Sequence, residues 1–135
     1  MAVSVETIDD QERAIAEWAE RWSAHDVDGL IRLFTDDAVY QDVPMGAVSR
    51  GANQLREFAS SVLSRVPDIT FEMRSTFVDG TAGTAEWIMR GTRGVSGATK
   101  RFEVRGVSVF EFTDSKIRRC SDYWDMAIYR EQLLL

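Results

Sequence analysis

The segment at residues 102–125 constrains the fold of this chain more than any other. Two stretches rich in Val, Phe, Ile, Tyr and Trp flank the polar residues 113–116, a pattern that predicts a β-hairpin. On its second arm Asp122 lies two residues from both Cys120 and Trp124. Because every second side chain of a strand points to the same face, the three side chains share one face. The hairpin therefore places an ionisable carboxyl beside a thiol and an indole, and Asp122 is the leading candidate for the chemistry.

The pairing register of this hairpin has two solutions. A two-residue turn at Asp114 and Ser115 places Asp122 opposite Val107, whereas a turn or bulge one residue longer places Ser108 there. Since each solution gives the carboxyl a different neighbour, the register decides what perturbs its pKa.

The composition narrows the kinds of partner that fit this chain. Its 135 residues, 44% of them hydrophobic, predict a single domain over residues 1–135 with a core at about residues 8–130. A net charge of -6 disfavours nucleic acid and anionic membranes, and no apolar run is long enough to cross a bilayer. One His and one Cys leave only carboxylates as metal ligands, and no spaced cluster of them appears, so we expect no metal site. The lone Cys and the lack of a signal-peptide pattern predict a cytoplasmic location.

Helical and strand periodicities follow one another before the hairpin. The predicted helices, the first with Thr7 as its N-cap, cover residues 7–24, 27–34 and 52–66. The predicted strands cover residues 38–43, 69–78 and 83–92, followed by a flexible, glycine-rich loop at residues 91–98. Residues 126–135 are expected to form a short helix or a tail. Three helices ahead of a run of antiparallel strands indicate an α+β domain.

A curved antiparallel sheet has one apolar face, which the three helices can cover. If the sheet curls around the helices, the space between them is a cavity with few polar groups, the usual form of a small-ligand site. The predicted substrate-binding wall comprises Trp18, Phe58, Trp87, Met89, Ser108, Cys120 and Trp124. Core packing is the alternative role for the indole of Trp18.

Tyr40 and Asp42 form a second polar pair. They alternate on the strand at residues 38–43, which gives a hydroxyl donor beside a proton acceptor on one side of that strand. The alternative is a solvated strand edge, with Asp42 capping the turn before Pro44. The only histidine, His25, lies at a polar junction between two helices and is expected on the surface.

Three segments together carry a resemblance to a known family. They are W-x3-W-S-A-H-D-V-D-G-L-I-R-L-F-T-D-D-A-V-Y-Q-D-V-P at residues 18–44, R-G at residues 50–51 and G-V-S-V-F-E-F-T-D-S-K-I-R-R-C-S-D-Y-W-D at residues 106–125. Over about residues 11–133 the chain resembles the SnoaL-like branch of the nuclear transport factor two-like superfamily. That resemblance implies a cone-shaped, curved antiparallel sheet wrapped around three N-terminal helices. It also implies a deep pocket and a homodimer formed through the exposed face of the sheet.

This family includes polyketide cyclases, ketosteroid isomerases and limonene epoxide hydrolases, together with domains that only bind or scaffold, so the fold alone does not set the function. In the cyclases and the epoxide hydrolases an acidic residue precedes the aromatic pair of the last strand, and Asp122 matches it. Tyr40 matches the hydrolases' tyrosine on the first strand. Asp42 replaces their asparagine and matches the general base of the isomerases.

Other positions depart from the family patterns. The hydrolases' Arg and second Asp correspond to Trp87 and Met89, so their catalytic triad is absent. The isomerases' tyrosine donor falls at Trp18, and their protonated Asp, like the pocket His of the cyclases, falls near Ser108. The chain therefore lacks the isomerases' familiar oxyanion hole.

A carboxyl in an apolar cavity has a raised pKa and can exchange protons near neutral pH. The residues and the resemblance together predict a cofactor-independent cyclase or isomerase that acts on a small, apolar, oxygenated ligand such as a polyketide or a steroid-like ketone. Asp122 is the expected general acid/base, Asp42 its partner and Tyr40 a hydrogen-bond donor. The alternative functions are an epoxide hydrolase relative with an altered triad and a non-catalytic ligand-binding or dimerisation domain. The alternative role of Asp122 is a salt bridge to Arg105 or Arg119.

Overall fold

A curved, unclosed sheet of six strands, with helices packed against it, makes up the fold. The computed structural model describes residues 4–134. The helices are α1 (Val5–Ser23), α2 (Val27–Ile31), α3 (Gly51–Arg65) and α4 (Met126–Leu133). The strands are β1 (Phe34–Asp42), β2 (Ala47–Arg50), β3 (Thr70–Val78), β4 (Ala82–Val95), β5 (Ala98–Thr113) and β6 (Lys116–Trp124). The α+β class predicted from the sequence is confirmed.

The strand order in the sheet is β2-β1-β6-β5-β4-β3. Strand β1 pairs with β6 in parallel, while the other neighbouring strands are antiparallel. The first strand of the chain is therefore placed beside the last one, and this juxtaposition joins the two polar pairs that the sequence analysis identified separately.

Helix α1 packs its apolar stripe against the sheet. Ile15, Trp18 and Trp22 recur at helical spacing and are all buried. The helix begins earlier than predicted, because the Ser4 hydroxyl accepts a hydrogen bond from the Thr7 amide at 3.1 Å. The prediction of Thr7 as the N-cap is therefore wrong, since Ser4 satisfies the free amide of the first turn.

The second helix is shorter, and the strand after it longer, than the sequence pattern indicates. Helix α2 ends at Ile31, and Phe34 already belongs to β1, where it pairs with Ile117 of β6. The polar residues 35–37, which lie between the predicted helix and strand, belong to β1 at an irregularity in this pairing between Phe34 and Val39. Pairing with β6 thus extends β1 across a sequence of low strand propensity.

Strand β2, the end of β4 and the start of β5 were not predicted as strands. Strand β2 is four residues long and pairs with the end of β1. Strands β4 and β5 stay paired as far as Val95 and Ala98, so the flexible loop predicted at residues 91–98 is wrong. Gly91 pairs with Phe102 in this part of the sheet. A Cβ at Gly91 would lie 2.4 Å from the side chain of Val66, so the glycine allows close packing at this position.

The β5–β6 hairpin has the bulged register of the two that the sequence left open. Its turn contains two residues, but the pairing shifts between Glu111 and Phe112, which inserts one extra residue into β6. Ser108 consequently lies opposite Asp122. The bulge therefore places the hydroxyl of Ser108, in place of the side chain of Val107, opposite the Asp122 carboxyl.

Helix α4 occupies the segment for which a short helix or a tail was expected. Asp125 caps it, since its carboxylate accepts hydrogen bonds from the amides of Ala127 at 2.8 Å and Ile128 at 3.2 Å. Leu135, the last residue of the predicted segment, lies outside the described residues.

Aromatic side chains fill the space between α1 and the sheet. Between ring centroids, Trp18 lies 5.1 Å from Phe71, 5.5 Å from Phe110 and 6.3 Å from Trp87. Trp18, Trp87 and Phe110 are fully buried. These rings pack as a core in the region where the family resemblance implies a deep pocket.

The position of Trp87 depends on a glycine in the neighbouring strand. Trp87 pairs with Gly106, and a Cβ at Gly106 would lie 2.3 Å from the indole ring. The indole of Trp87 therefore fills the space that a side chain at position 106 of β5 would otherwise occupy. This placement brings the indole N–H within 2.9 Å of the Ser108 hydroxyl.

The substitution Gly106→Ala should lower the free energy of unfolding by about 1–3 kcal/mol, because the added methyl group overlaps the indole of Trp87. Gly94→Ala in β4 is the matched control, since nothing lies within 4 Å of a Cβ there, and it should change stability by less than about 0.5 kcal/mol. Urea unfolding followed by circular dichroism measures both. Equal stability of the two variants would contradict this packing.

Candidate functional site

Asp122 lies inside the molecule at the centre of a hydrogen-bonded network. Its side chain accepts hydrogen bonds from the hydroxyl groups of Tyr40 at 2.6 Å and Ser108 at 2.5 Å, and the residue is only 6% exposed. The Trp87 indole N–H donates to the Ser108 oxygen at 2.9 Å, and the Cys120 sulfur lies 3.5 Å from the carboxyl. Each carboxyl oxygen thus has a hydroxyl partner, which offsets part of the cost of burial.

The arginines considered as partners of Asp122 lie elsewhere. Arg119 pairs with Glu111, with its Nε 2.5 Å from the carboxylate. Among the ion pairs of residues 4–134, none involves Asp122 or Arg105. The carboxyl is therefore bound by neutral hydroxyl groups and not by a salt bridge.

The pairing of β1 with β6 sets Asp42 beside Asp122. In this parallel register Tyr40 is level with Cys120, and Asp42 is level with Asp122. Residues that are level on neighbouring strands point to the same face of a sheet. The period-two alternation at two distant places in the sequence therefore produces one cluster of two carboxyls, a phenol and a thiol.

The pKa of Asp122 is raised to about 7, chiefly because burial disfavours its charged form. Hydrogen bonds from Ser108 and Tyr40 stabilise the carboxylate and oppose this rise, whereas the negative charge of Asp42 adds to it. Burial also raises the pKa of Tyr40 and of Cys120, and the charge of Asp122 contributes to both. At neutral pH Tyr40 and Cys120 are therefore uncharged, while Asp122 is near the midpoint of its titration.

Asp42 occupies the end of β1 and is half-buried. Its carboxylate accepts a hydrogen bond from the indole N–H of Trp124 at 3.0 Å. Burial raises the pKa of Asp42, while the Trp124 bond, the Met45 amide and the positive charge of Arg65 limit the rise. Asp42 is thus a second carboxyl whose protonation is shifted toward neutral pH.

A cavity of about 60 Å³ opens next to Asp42, between the end of α3, the sheet and α4. Its apolar walls include Val62, Val66, Ile69, Met89 and Phe102. The polar or charged side chains that line it are Asp42, Arg65, Arg93, Trp124 and Tyr129. An apolar cavity with a few convergent polar groups is the usual arrangement of a ligand site.

The predicted site residues divide into two groups. Those that line the cavity are Asp42, Met89 and Trp124. Those that lie in the core, away from the cavity, are Asp122, Tyr40, Trp18, Trp87, Ser108 and Cys120. Phe58 packs against the rings of Trp22 and Tyr40 and borders a separate surface groove beside β2. The structure therefore joins the two carboxyls through strand pairing, and only Asp42 borders the cavity.

Several residues that line the cavity were not identified from the sequence. Arg93 and Tyr129 are joined by a hydrogen bond of 2.7 Å from the guanidinium to the hydroxyl. Arg93 shares the strand face of Met89, so the period-two pattern would have found it if residues 91–98 had been interpreted as strand. Arg65, in the last turn of α3, carried no comparable signal.

Within residues 4–134, no three His, Cys, Asp or Glu side chains come together as a metal site. None of the helices in that range is both long and apolar enough to span a bilayer.

The family model of the SnoaL-like domain matches residues 15–120, which is most of the chain. The chain belongs to the SnoaL-like family. This membership confirms the resemblance that was drawn from the sequence motifs. A search of curated proteins found no significant match to this SnoaL-like chain.

Solved structures with the same fold share little sequence with this SnoaL-like protein. One has a ketosteroid isomerase-like fold and comes from Catenulispora acidiphila, with 21% identity, coverage of 88% of this chain and 90% of that chain, and a TM-score of 0.81. A protein from Shewanella denitrificans assigned as a SnoaL-like polyketide cyclase has 16% identity, coverage of 91% and 96%, and a TM-score of 0.82. TerC has 16% identity, coverage of 92% and 98%, and a TM-score of 0.78. At these identities the likeness shows the fold alone.

The raised pKa of Asp122 makes the stability of the protein depend on pH. The folded state holds this proton more tightly than the unfolded state, whose Asp has a pKa near 4. The contribution is therefore fully present below about pH 4 and is lost as the pH rises through about 7. The difference in unfolding free energy between the wild type and Asp122→Asn should fall by up to about 4 kcal/mol over that range.

Asp79→Asn is the control for this measurement, since Asp79 is a turn carboxylate whose pKa is lowered by the amides of Thr81 and Ala82. Its contribution is lost only as the pH falls below about 4, so its difference from the wild type should stay nearly constant between about pH 5 and 8. Urea unfolding at a series of pH values gives both differences. A constant difference for Asp122→Asn would contradict the raised pKa.

Proposed function

We propose that this protein is a cofactor-independent enzyme of the SnoaL-like cyclase or isomerase type. It transfers protons on a small, apolar, oxygenated ligand, such as a polyketide or a steroid-like ketone. The observation that carries this proposal is the pairing of Asp42 with Asp122, two carboxyls with raised pKa, one of which lines an apolar cavity.

Asp42 is the proposed general base that faces the ligand. Intramolecular aldol cyclisation and double-bond isomerisation both begin with removal of a proton from the carbon next to a carbonyl group, and an ionised Asp42 can accept that proton. The sequence alone favoured Asp122 for this role. Asp122 is buried and does not line the cavity, whereas Asp42 does, so Asp42 is the carboxyl that we assign to contact the ligand.

Asp122 is the proposed buried partner of that base, with Tyr40 as the donor that fixes its carboxyl. The two carboxyls are electrostatically coupled, because the charge of Asp42 raises the pKa of Asp122. When Asp42 takes a proton from the ligand its negative charge disappears, and the pKa of Asp122 falls. When Asp42 returns that proton to another atom of the ligand, its charge is restored and the pKa of Asp122 rises again, so Asp122 responds to the transfer without giving up its own proton.

The size of the cavity limits how the ligand is held. A volume of about 60 Å³ is well below the roughly 300–1,000 Å³ of typical small-ligand sites. A ring or chain end therefore enters the cavity, and the rest of the ligand extends outward past the exposed side chains of Met45 and Arg65.

Two structural neighbours support small-molecule binding by this fold. The Catenulispora acidiphila protein was solved in complex with trimethylamine, and TerC was co-crystallised with polyporic acid. Since one molecule is an amine and the other an acid, they support the binding of small molecules by this fold and favour no particular ligand charge.

A non-catalytic ligand-binding domain is the second candidate. The observation that favours it is the burial of Asp122, which does not line the cavity, together with the close packing of Trp18, Trp87 and Phe110 in the interior. In that case the network of Tyr40 and Ser108 serves only to satisfy a buried carboxyl. The epoxide hydrolase alternative has no comparable support, because apolar side chains occupy positions 87 and 89.

The deuterium exchange of 2-tetralone, a small apolar ketone with an acidic C–H group, distinguishes these candidates by proton NMR in D₂O. The wild type should accelerate exchange, and Asp42→Asn should reduce the acceleration by about 10²–10⁴-fold while ketone binding, followed by tryptophan fluorescence, is retained. Asp122→Asn should also lose turnover and keep binding.

Asp79→Asn, at a turn far from the cavity in sequence, is the matched control and should exchange like the wild type. Binding without any acceleration in the wild type would favour the second candidate. Unchanged exchange in Asp122→Asn would remove that residue from the mechanism.

A homodimer through the outer face of the sheet is proposed from the family resemblance. Val107 and Tyr123 are 37% and 46% exposed on paired positions of β5 and β6, so they would be covered in such a dimer. Sedimentation should show a dimer that Tyr123→Glu weakens, and a wild-type monomer would refute it.

The cytoplasmic location and the lack of a cofactor stay predictions.

A further inference from the structure

The cavity beside Asp42 contains two guanidinium groups, those of Arg65 from α3 and Arg93 from β4. The protein as a whole carries a net charge of -6, yet these two cations face one carboxyl in a space with apolar walls. A local excess of positive charge in an acidic protein indicates attraction of a negatively charged group.

Neither guanidinium forms a close ion pair within the part of the chain that the structure describes, although the charge of Arg65 acts on Asp42 at longer range. Within residues 4–134 the ion pairs of 4.0 Å or less use Arg13, Arg21, Arg56, Arg74, Arg90, Arg118 and Arg119. Arg65 makes a long hydrogen bond of 3.4 Å to the Ser61 carbonyl, and Arg93 donates to the Tyr129 hydroxyl at 2.7 Å. Since a guanidinium has five N–H donors, both side chains keep donors for a ligand.

We infer that the ligand of this cavity carries a carboxylate at one end of an apolar body, and that Arg65 and Arg93 bind this carboxylate. The inference rests on the proposed function only in assuming that this cavity is the ligand site. Arginine is suited to the role because its planar fork matches the two oxygens of a carboxylate. The hydrogen bond from Arg93 to Tyr129 holds one fork in place, and Met89 and Phe102 provide the surface for the apolar body.

Benzoate and benzamide test this inference, because they share an apolar ring and differ in charge. The indole N–H signal of Trp124, which lines the cavity, reports binding in two-dimensional nitrogen–proton NMR titrations. Benzoate should bind the wild type about tenfold more tightly than benzamide. Arg65→Met and Arg93→Met should each weaken benzoate binding about tenfold and leave the affinity for benzamide nearly unchanged.

Arg130→Met, on the exposed face of α4, is the matched control and should bind both probes like the wild type. Equal affinities for benzoate and benzamide would overturn the inference. Failure of benzoate to shift the Trp124 signal, or unchanged benzoate affinity in both arginine variants, would do so as well. These readouts measure binding alone, so they are independent of the exchange rates that decide the proposed function.

Discussion

The burial of one carboxyl, Asp122, is the constraint on which the rest of the site depends. A buried carboxyl without partners would cost several kcal/mol, so the fold has to bring hydroxyl groups to it. Tyr40 comes from the parallel neighbour β1, and Ser108 comes from the antiparallel neighbour β5. The network therefore ties the β5–β6 hairpin to β1, a strand that is distant from it in sequence. Any change of register by one residue would turn a partner to the other face of the sheet.

The same strand pairing divides the site into a sealed part and an accessible part. Asp122 lies under the aromatic core, where burial raises its pKa, whereas Asp42 is level with it on β1 and borders the cavity. The buried carboxyl can thus influence the accessible one through its charge without contacting a ligand. The chain belongs to the SnoaL-like family, and its departures from the isomerase pattern at Trp18 and Ser108 leave the carboxyl pair as the basis of the proposed proton transfer.

The sequence predicted most of this arrangement where periodicity was strong, and missed what tertiary pairing decided. Alternation placed Asp122 and Asp42 on their strands, but nothing local in the sequence shows that β1 and β6 are neighbours. The bulge that selects Ser108 likewise depends on the whole hairpin. The glycines at residues 91–98 suggested a loop, although this segment is paired strand as far as Val95 and Ala98, with Gly91 packed against Val66, and this error hid Arg93. A cavity was predicted, but of its expected wall only Met89 and Trp124 line it, because the indoles of Trp18 and Trp87 fill the core instead.

Direct measurement of the pKa of Asp122 tests the central claim. Carbon NMR of its side-chain carboxyl, assigned by comparison with Asp122→Asn, follows the titration of this single group in the folded protein. The structure predicts a pKa of about 7, because burial outweighs the hydrogen bonds from Tyr40 and Ser108. Titration at the ordinary value for Asp, near 4, would contradict the account, since it would show that the carboxyl remains charged and solvated at neutral pH.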